Sequence, residues 1–404
     1  MLNCISTHSA LRRNVRAPIR NVSQHGGLHM GKNGQLLSFA YLIVFFLGVM
    51  FGLESIVPLF FASVGVSVFE WGILAFVSML GMLFFEMIWG MLSDRFGKPT
   101  LIAGGLLVSA TVITAYALPF FLPLFLVLQA LRGVFSVMSA PPTRMLVSEL
   151  SSPTKLAFAL GLWFSATRLG ATVGSVFFSY LAQEVSYALA FISCSALLFI
   201  VGFVALIVLR RAEPSVREPA DSDAKMESEE IPAGQTLKEI LKVNSIYIIF
   251  FCAVIGFLQM SLIRTIVPIF ASEILGASTF VVGLNQAEFT GLCVLFFPLS
   301  GIFAAKFSKR ATIAIGFTFL LFSAVAFSLT TDLFQLSIST LLSSFGFSLV
   351  APSLLALLVN SVPRRVLGGS IGIYGSVENL GITLAPLLFC LLYTSDAADE
   401  EDSV

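Results

Sequence analysis

Charge is scarce in this sequence: 11% of its 404 residues are Asp, Glu, Lys or Arg and 57% are hydrophobic, where a soluble domain carries about 25% charged residues. So little charge cannot clothe a chain of this length in water, which excludes an ordinary soluble protein. Net charge is also absent, Lys+Arg 23 balancing Asp+Glu 23, so the basic footprint of a nucleic-acid binder is missing. Histidine is confined to His8, His25 and His29, ahead of the first long apolar run, which excludes a His-ligated metal or haem among those runs. The cysteines Cys4, Cys194, Cys252, Cys293 and Cys390 show no paired spacing, so neither a disulfide framework nor a zinc site is implied. No HExxH, GxSxG or P-loop pattern occurs, so no enzyme, catalytic residue, metal or cofactor is expected. A membrane sensor would need a sizeable soluble output domain, and there is none.

What is present is apolar length: 40 Phe, 31 Gly and a mean hydropathy of +0.95. A helix needs about 20 apolar residues to cross a bilayer. On that ruler eleven spans are predicted, at 36–62, 70–92, 99–119, 121–148, 156–181, 186–209, 244–272, 279–304, 310–330, 333–360 and 367–389. The expected architecture is an all-α, multi-pass protein embedded in the lipid bilayer. A tail, 1–35, precedes a six-helix half, 36–209; a polar linker, 210–243, holding eight acids and six bases, leads to a second half, 244–389. The tail, the linker and the connections after spans two, four, eight and ten hold all the loop bases, and the alternate connections hold none. By the positive-inside rule the N-terminus, the linker and those connections are expected in the cytoplasm.

Both ends carry separate expectations. Cys390 to Val404 turns abruptly into an acidic string, and CLLYTSDAAD is what a transposase-type sequencing adapter encodes in frame. Residues 390–404 are therefore expected to be adapter read-through, with a twelfth span missing, so that the second half holds five helices. The first 29 residues hold four Arg and no acid; a start placed too far upstream, with the true start at Met30, a real basic tail, and a transit peptide are all open.

The second half repeats the first at an offset of 211: Phe69 and Gly72 fall on Phe280 and Gly283, Gly90 on Gly301, Ala140-Pro141 on Ala351-Pro352, and Leu146 on Leu357. Span five from Gly161 meets Gly372 onward with six identities in 18, and Ile56-Val57-Pro58 meets Ile266-Val267-Pro268 at offset 210. After span two stands Gly90-Met-Leu-Ser-Asp94-Arg95-Phe-Gly97-Lys98, which resembles the G-x-L-x-D-R-x-G-R/K loop of the major facilitator superfamily. With the parallel repeat of two six-helix halves, the chain from Leu36 to Phe389 resembles that family, its drug/proton antiporter-like branch first. Span four departs from the family's R-x-x-x-G segment, placing Gln129 where the arginine belongs and a base at Arg132. Span five reads Gly170-Ala171-Thr-Val-Gly174-Ser175, without the branch's proline.

The resemblance implies a secondary transporter that alternates access to a small-molecule substrate, a monomer in a bacterial or archaeal inner membrane. Ionisable residues inside a bilayer are functional candidates by default, and here these are Glu54, Arg132, Arg168, Arg264, Glu288 and Glu378. Glu54 and Arg264 hold equivalent repeat positions, four residues before a proline, and are expected either to pair across the halves at the outer gate or to take separate partners or cavity roles. Arg168 and Glu288 are expected either to form a second bridge or to stand apart as a cavity cation and a proton acceptor. Glu288 and Glu378 are the proposed proton carriers. Glu86 is expected to support the Asp94 loop, and Arg144 and Glu149 to snorkel. Ser136, Trp163, Gln259, Asn285, Gln286, Tyr374 and Asn379 are candidate cavity residues, and Gly161, Ser165, Gly170 and Gly174 packing residues. Proton-coupled efflux of amphipathic compounds is the first expectation; uptake of an organic anion or sugar is the alternative.

Overall fold

The computed structural model describes residues 32–118, 121–151, 156–216, 245–362 and 370–388 apart from 372 and 387. The expectations for the tail with Met30, for 217–244 and for 390–404 lie outside the described residues. Every regular element among the described residues is helical, since in lipid a helix satisfies its own amides and carbonyls. Span one is α1 (Lys32–Gly52), a 3-10 turn (Leu53–Ser55) and α2 (Val57–Ser63); spans two and three are α3 (Val68–Phe96) and α4 (Lys98–Ala115). Span four is α5 (Leu122–Ser136) and α6 (Ala140–Leu150), broken just before Pro141-Pro142, and α7 (Leu156–Glu184) and α8 (Tyr187–Val216) complete the first half. The second half comprises α9 (Ser245–Thr265), α10 (Val267–Glu273), α11 (Thr279–Phe307), α12 (Lys309–Ser328), α13 (Leu333–Ser361) and a helical stretch, α14, over 373–386.

Among the described residues nine segments are long and apolar enough to cross a membrane. The two other expected spans coincide with α7 and α14. Span six runs past its expected end at 209, because Arg210, Arg211, Ala212 and Glu213 are all competent in a helix; the helix therefore takes the first seven residues assigned to the linker.

The repeat is visible in the backbone. Ser67 and Ser278, 211 apart, cap α3 and α11 by accepting from Glu70 N and Val281 N, and Glu70 answers Ser67 to complete a capping box. Gly65 and Gly276 take positive φ of 84° and 65° at equivalent turns. Gly97 turns α3 into α4 at φ 84°, and its repeat partner Ser308 adopts φ 79° although it is not glycine. Spans one and seven both break before the Ile-Val-Pro match.

Within the first half α1 lies along α7, α3 along α5 and α4 along α8; in the second, α12 and α11 both pack on α13. The α1–α7 crossing is glycine-built: a Cβ on Gly48, Gly52, Gly170 or Gly174 would run into backbone atoms of the facing helix, as in small-xxx-small membrane contacts. Each half has its own apolar core, and a third cluster joins Leu59 of α2 to Val267, Ala271, Ala277 and Val282 across the halves.

One end of the bundle carries Lys98, Lys306, Lys309 and Arg310; the other has no base in its connections. At the bare end the halves are closed on each other. Trp71 Nε1 donates to Thr265 O at 3.4 Å, Phe280 N to Gln183 Oε1 at 2.9 Å, and Tyr187 and Thr279 share a hydrogen bond at 3.3 Å. Phe60, Phe61, Tyr116, Phe125 and Phe191 stack behind this seam with ring centroids 5.1–6.3 Å apart. Among the described residues, the hydrogen bond between halves nearest the basic end is Asn379 to Glu86.

Candidate functional site

The break in span one places Glu54 on a 3-10 turn, where its carboxylate turns toward span four. Arg132 Nη2 donates to Glu54 Oε1, and Arg132 Nη1 donates to Gln129 Oε1 at 3.0 Å. Gln129, at the family's arginine position, is fully buried and orients the displaced base. Ser136 lines the small pocket beside this pair, with Glu54 and Arg132. The Glu54–Arg264 bridge is thus corrected: a cation on a helix of the same half holds the carboxylate, which is the separate pairing that the sequence also left open.

The expectation that Glu86 supports the Asp94 loop involves side chains outside the described residues; the partners of Glu86 that are described lie elsewhere. Its carboxylate forms an ion pair with Arg144, Nη1 lying 3.2 Å away, and accepts from Asn379 Nδ2 at 2.5 Å. Arg144 does not snorkel; its guanidinium lies 4.5 Å from the ring centroid of Trp163 and 5.7 Å from that of Phe164, a cation–π geometry. Trp163 is buried, with Nε1 donating to Thr143 Oγ1 at 3.3 Å. Glu149 instead meets Lys98 at 2.5 Å, tying spans three and four together at the basic end. Of the signature loop, Gly90 and Gly97 are placed on α3 and at its end, and for Asp94 and Arg95 only the helical backbone is described.

Of the six mid-depth candidates, four have no counterion within 4 Å among the described residues: Arg168, Arg264, Glu288 and Glu378. Arg168 comes from α7 of the first half and Arg264 from α9 of the second. Arg168 Nη2 points at Met260 Sδ at 3.3 Å, and its guanidinium sits 5.8 Å from the centroid of Phe347. Arg264 is close enough to interact electrostatically with both Arg132 and Arg168. Glu54 is bound to one of these guanidiniums, Arg132. Glu378 is within electrostatic range of Arg168, Arg144 and Glu86.

Arg168 and Glu288 do not meet. Glu288 faces span ten, with Asn285 Nδ2 at 3.5 Å and Ser337 lining the same cavity. The separate placement, one of the two sequence expectations for these residues, is what the structure has. The remaining candidates divide. Gln259 and Gln286 donate to the carbonyls of Leu320 and Ile263 at 3.0 and 2.8 Å, so half of each amide is spent on helix packing. Tyr374 is buried one turn before Glu378, and its hydroxyl has no partner among the described residues. Thr172 on α7 and Thr290 on α11 bond at 2.9 Å across the halves.

Sequence reasoning missed Glu86 and Arg144 as a pair. The available signal was two opposite charges set about 15 Å and 9 Å, at 1.5 Å per residue, from the basic ends of spans two and four.

The family model of the Major Facilitator Superfamily matches residues 37–386. The chain is 21% identical over 314 residues, 75% of it and 76% of the relative, to an uncharacterised MFS-type transporter of Methanocaldococcus jannaschii. It is 25% identical over 160 residues, 39% of it and 37% of the relative, to an uncharacterised transporter of Buchnera aphidicola. Its fold is similar to a bacterial homologue of the human lysosomal transporter Spinster, inward-facing and unoccupied, with TM-score 0.71 and 14% identity over 91% of this chain and 84% of that one. A mutant of the peptide transporter POT in complex with sulfate gives TM-score 0.67 at 14% identity over 92% of each chain.

Proposed function

The chain belongs to the Major Facilitator Superfamily, and from that premise we propose that it carries a small amphipathic organic anion between its two halves by proton-coupled alternating access. The observation that carries this reading is that Arg168 and Arg264, on opposite halves and within electrostatic range of each other, have no carboxylate within 4 Å among the described residues. Uncompensated charge at mid-depth is expensive, and an anion held by both arginines would remove that cost while drawing the halves together. Met260 and Phe347 beside Arg168 offer an apolar wall for the body of such a molecule.

Glu378 is our choice of proton carrier. Ionised, it competes with an anion for the field of Arg168; protonated, it releases that field. Proton and anion then bind cooperatively, each raising the affinity for the other by the same factor, which is the behaviour of a symporter. Efflux of amphipathic compounds by antiport predicts the opposite sign, because proton and substrate must exclude each other. With the basic end in the cytoplasm, closure at the bare end makes the present state cytoplasm-facing, and an inward proton gradient drives uptake.

The test uses proteoliposomes with an internal pH dye and a panel of anionic, neutral and cationic compounds. Addition of an anionic substrate is expected to acidify the lumen, and R168Q, R264Q and E378Q to abolish the signal. Luminal alkalinisation on addition of substrate would establish antiport instead, and a response to cations alone would remove the anion reading.

A further inference from the structure

The repeat that relates the halves breaks in charge at their basic end. At offset 211 the acids Glu86, Asp94 and Glu149 fall on Phe297, Ala305 and Asn360, while the bases Arg95 and Lys98 fall on Lys306 and Lys309, and Pro99 falls on Arg310. The second half thus lacks all three acids and holds three bases in their neighbourhood. In the first half Lys98, at the start of α4, is neutralised by Glu149 of α6. Its counterpart Lys309, at the start of α12, donates to the carbonyl of Ala356 in α13 at 3.2 Å. Asn360, one turn further along α13, supplies no charge.

Lys306, Lys309 and Arg310 have no carboxylate within 4 Å among the described residues. The described acids of the second half lie elsewhere, Glu273 and Asp332 at the bare end and Glu288 and Glu378 within the bundle. The three bases share the tight turn from α11 to α12, where Lys306 and Arg310 are exposed and Lys309 is half-buried. Beside them the surface is aromatic. Phe307 is 45% exposed with its ring centroid 5.2 Å from Lys306 Nζ; Phe303, one turn deeper, lies 5.8 Å from Phe307, and Phe345 of α13 lies 6.1 Å from Phe303. Phe303 and Phe345 are only half-buried. Three cations at the end of an aromatic face complement a molecule built the other way, an anionic head on apolar chains. A soluble anion would satisfy the bases and leave the phenylalanines unused.

We propose that the α11–α12 turn is a binding site for an anionic phospholipid, its phosphate held by Lys306, Lys309 and Arg310 and its chains lying against Phe307, Phe303 and Phe345. The headgroup does for the second half what Glu149 does for the first: it neutralises the base that opens the third span of the half.

The experiment measures thermal unfolding of the full chain in neutral detergent micelles, without transport substrate, while phosphatidylglycerol, phosphatidylcholine or inorganic phosphate is titrated at fixed pH and ionic strength. A ligand of the folded state raises the midpoint with concentration. Phosphatidylglycerol is expected to raise it saturably, and phosphatidylcholine and inorganic phosphate not at all. K306Q/K309Q/R310Q is expected to raise the half-saturating phosphatidylglycerol concentration by ~10-fold or more. N360E, which gives Lys309 the carboxylate that Lys98 has, is expected to raise it by about fivefold. R210Q/R211Q, which removes two exposed bases of α8 in the first half, is expected to leave it within about twofold. No phosphatidylglycerol-specific rise in the parent, the result if acids of the chain itself cover the bases, overturns the site. An equal response to inorganic phosphate overturns the lipid assignment, and an equal loss in R210Q/R211Q reduces the effect to a general attraction of the basic end and overturns it too. Should the triple variant fail to fold, unaltered half-saturation in N360E overturns the site equally. Transport is not part of the readout, so failure here leaves the anion reading intact.

Discussion

Removing either partner of the Glu54–Arg132 pair should have unequal consequences. Breaking a buried ion pair costs about 3–5 kcal/mol when the survivor is left uncompensated. Here the side chains retain 25% and 14% exposure, which lowers the cost to about 2–3 kcal/mol for the worse case. That case is R132Q, because Glu54 has no second cation within reach among the described residues. In E54Q the guanidinium keeps Gln129 Oε1 at 3.0 Å and gains a neutral amide oxygen, so the loss should be nearer 1 kcal/mol. The double variant E54Q/R132Q removes both charges and should recover at least about 1 kcal/mol relative to the sum of the singles. Fluorescence-detected unfolding of the four proteins in the same detergent closes the cycle. Both partners sit in one half, so the pair need not break as the halves rock, and the double variant should keep transport within a few-fold of the parent. Additive single effects would refute the pairing, and so would a rescue of E54R by R264E but not by R132E.

Three further outcomes follow from the backbone and the seam. Ser308 holds φ 79°, a conformation that favours glycine, and repays part of the strain by capping Ala311 N; S308G should stabilise by about 1 kcal/mol, whereas G97A at the equivalent turn should destabilise by about 1–2 kcal/mol, both read as unfolding midpoints. G174L should prevent the α1–α7 contact and abolish a monodisperse peak in size-exclusion chromatography, while G161L, with nothing within 4 Å of the added Cβ, should not. N379A removes a charge-assisted bond between halves, worth about 1.5–3 kcal/mol, and should shift the conformational equilibrium at least tenfold toward the state open at the bare end, measured as distance distributions between spin labels on the two halves.

The fold was legible because lipid makes length and apolarity decisive, and because the repeat, at offset 211 or 210, recurs in caps, turns and breaks that depend on local residues: Ser67 with Ser278, Gly65 with Gly276, Pro58 with Pro268. The site was legible in composition and not in pairing. Glu54 and Arg264 occupy equivalent positions, and symmetry made them natural partners. Equivalent residues lie on opposite halves, however, and whether they touch depends on how far the halves have rocked. Arg132, on a packed helix of the same half, is near Glu54 whatever that angle is. The Glu86–Arg144 pair was hidden for a related reason: distance from the end of a helix fixes depth but not azimuth, and azimuth is set by packing such as the stacking of Arg144 on Trp163.

The pairing of charges separates scaffold from machinery. Glu54–Arg132, Glu86–Arg144 and Lys98–Glu149 each join helices of the first half, so they survive rigid rotation of that half and can only hold it together. Asn379 reaches Glu86 from the second half with a neutral amide, a contact that can break without stranding a charge. Arg168, Arg264, Glu288 and Glu378 have no counterion within 4 Å among the described residues, and on the proposed reading their neutralisation depends on something that comes and goes. Charges at mid-depth are costly unless they face water or find a partner, and on the proposed reading that partner is supplied from solution. On that reasoning R264Q should impair transport far more than E54Q/R132Q while harming stability less, since the first removes a charge that awaits a ligand and the second a pair already satisfied. Parallel loss of stability and transport across all of these variants would mean that the unpaired arginines, too, belong to the scaffold.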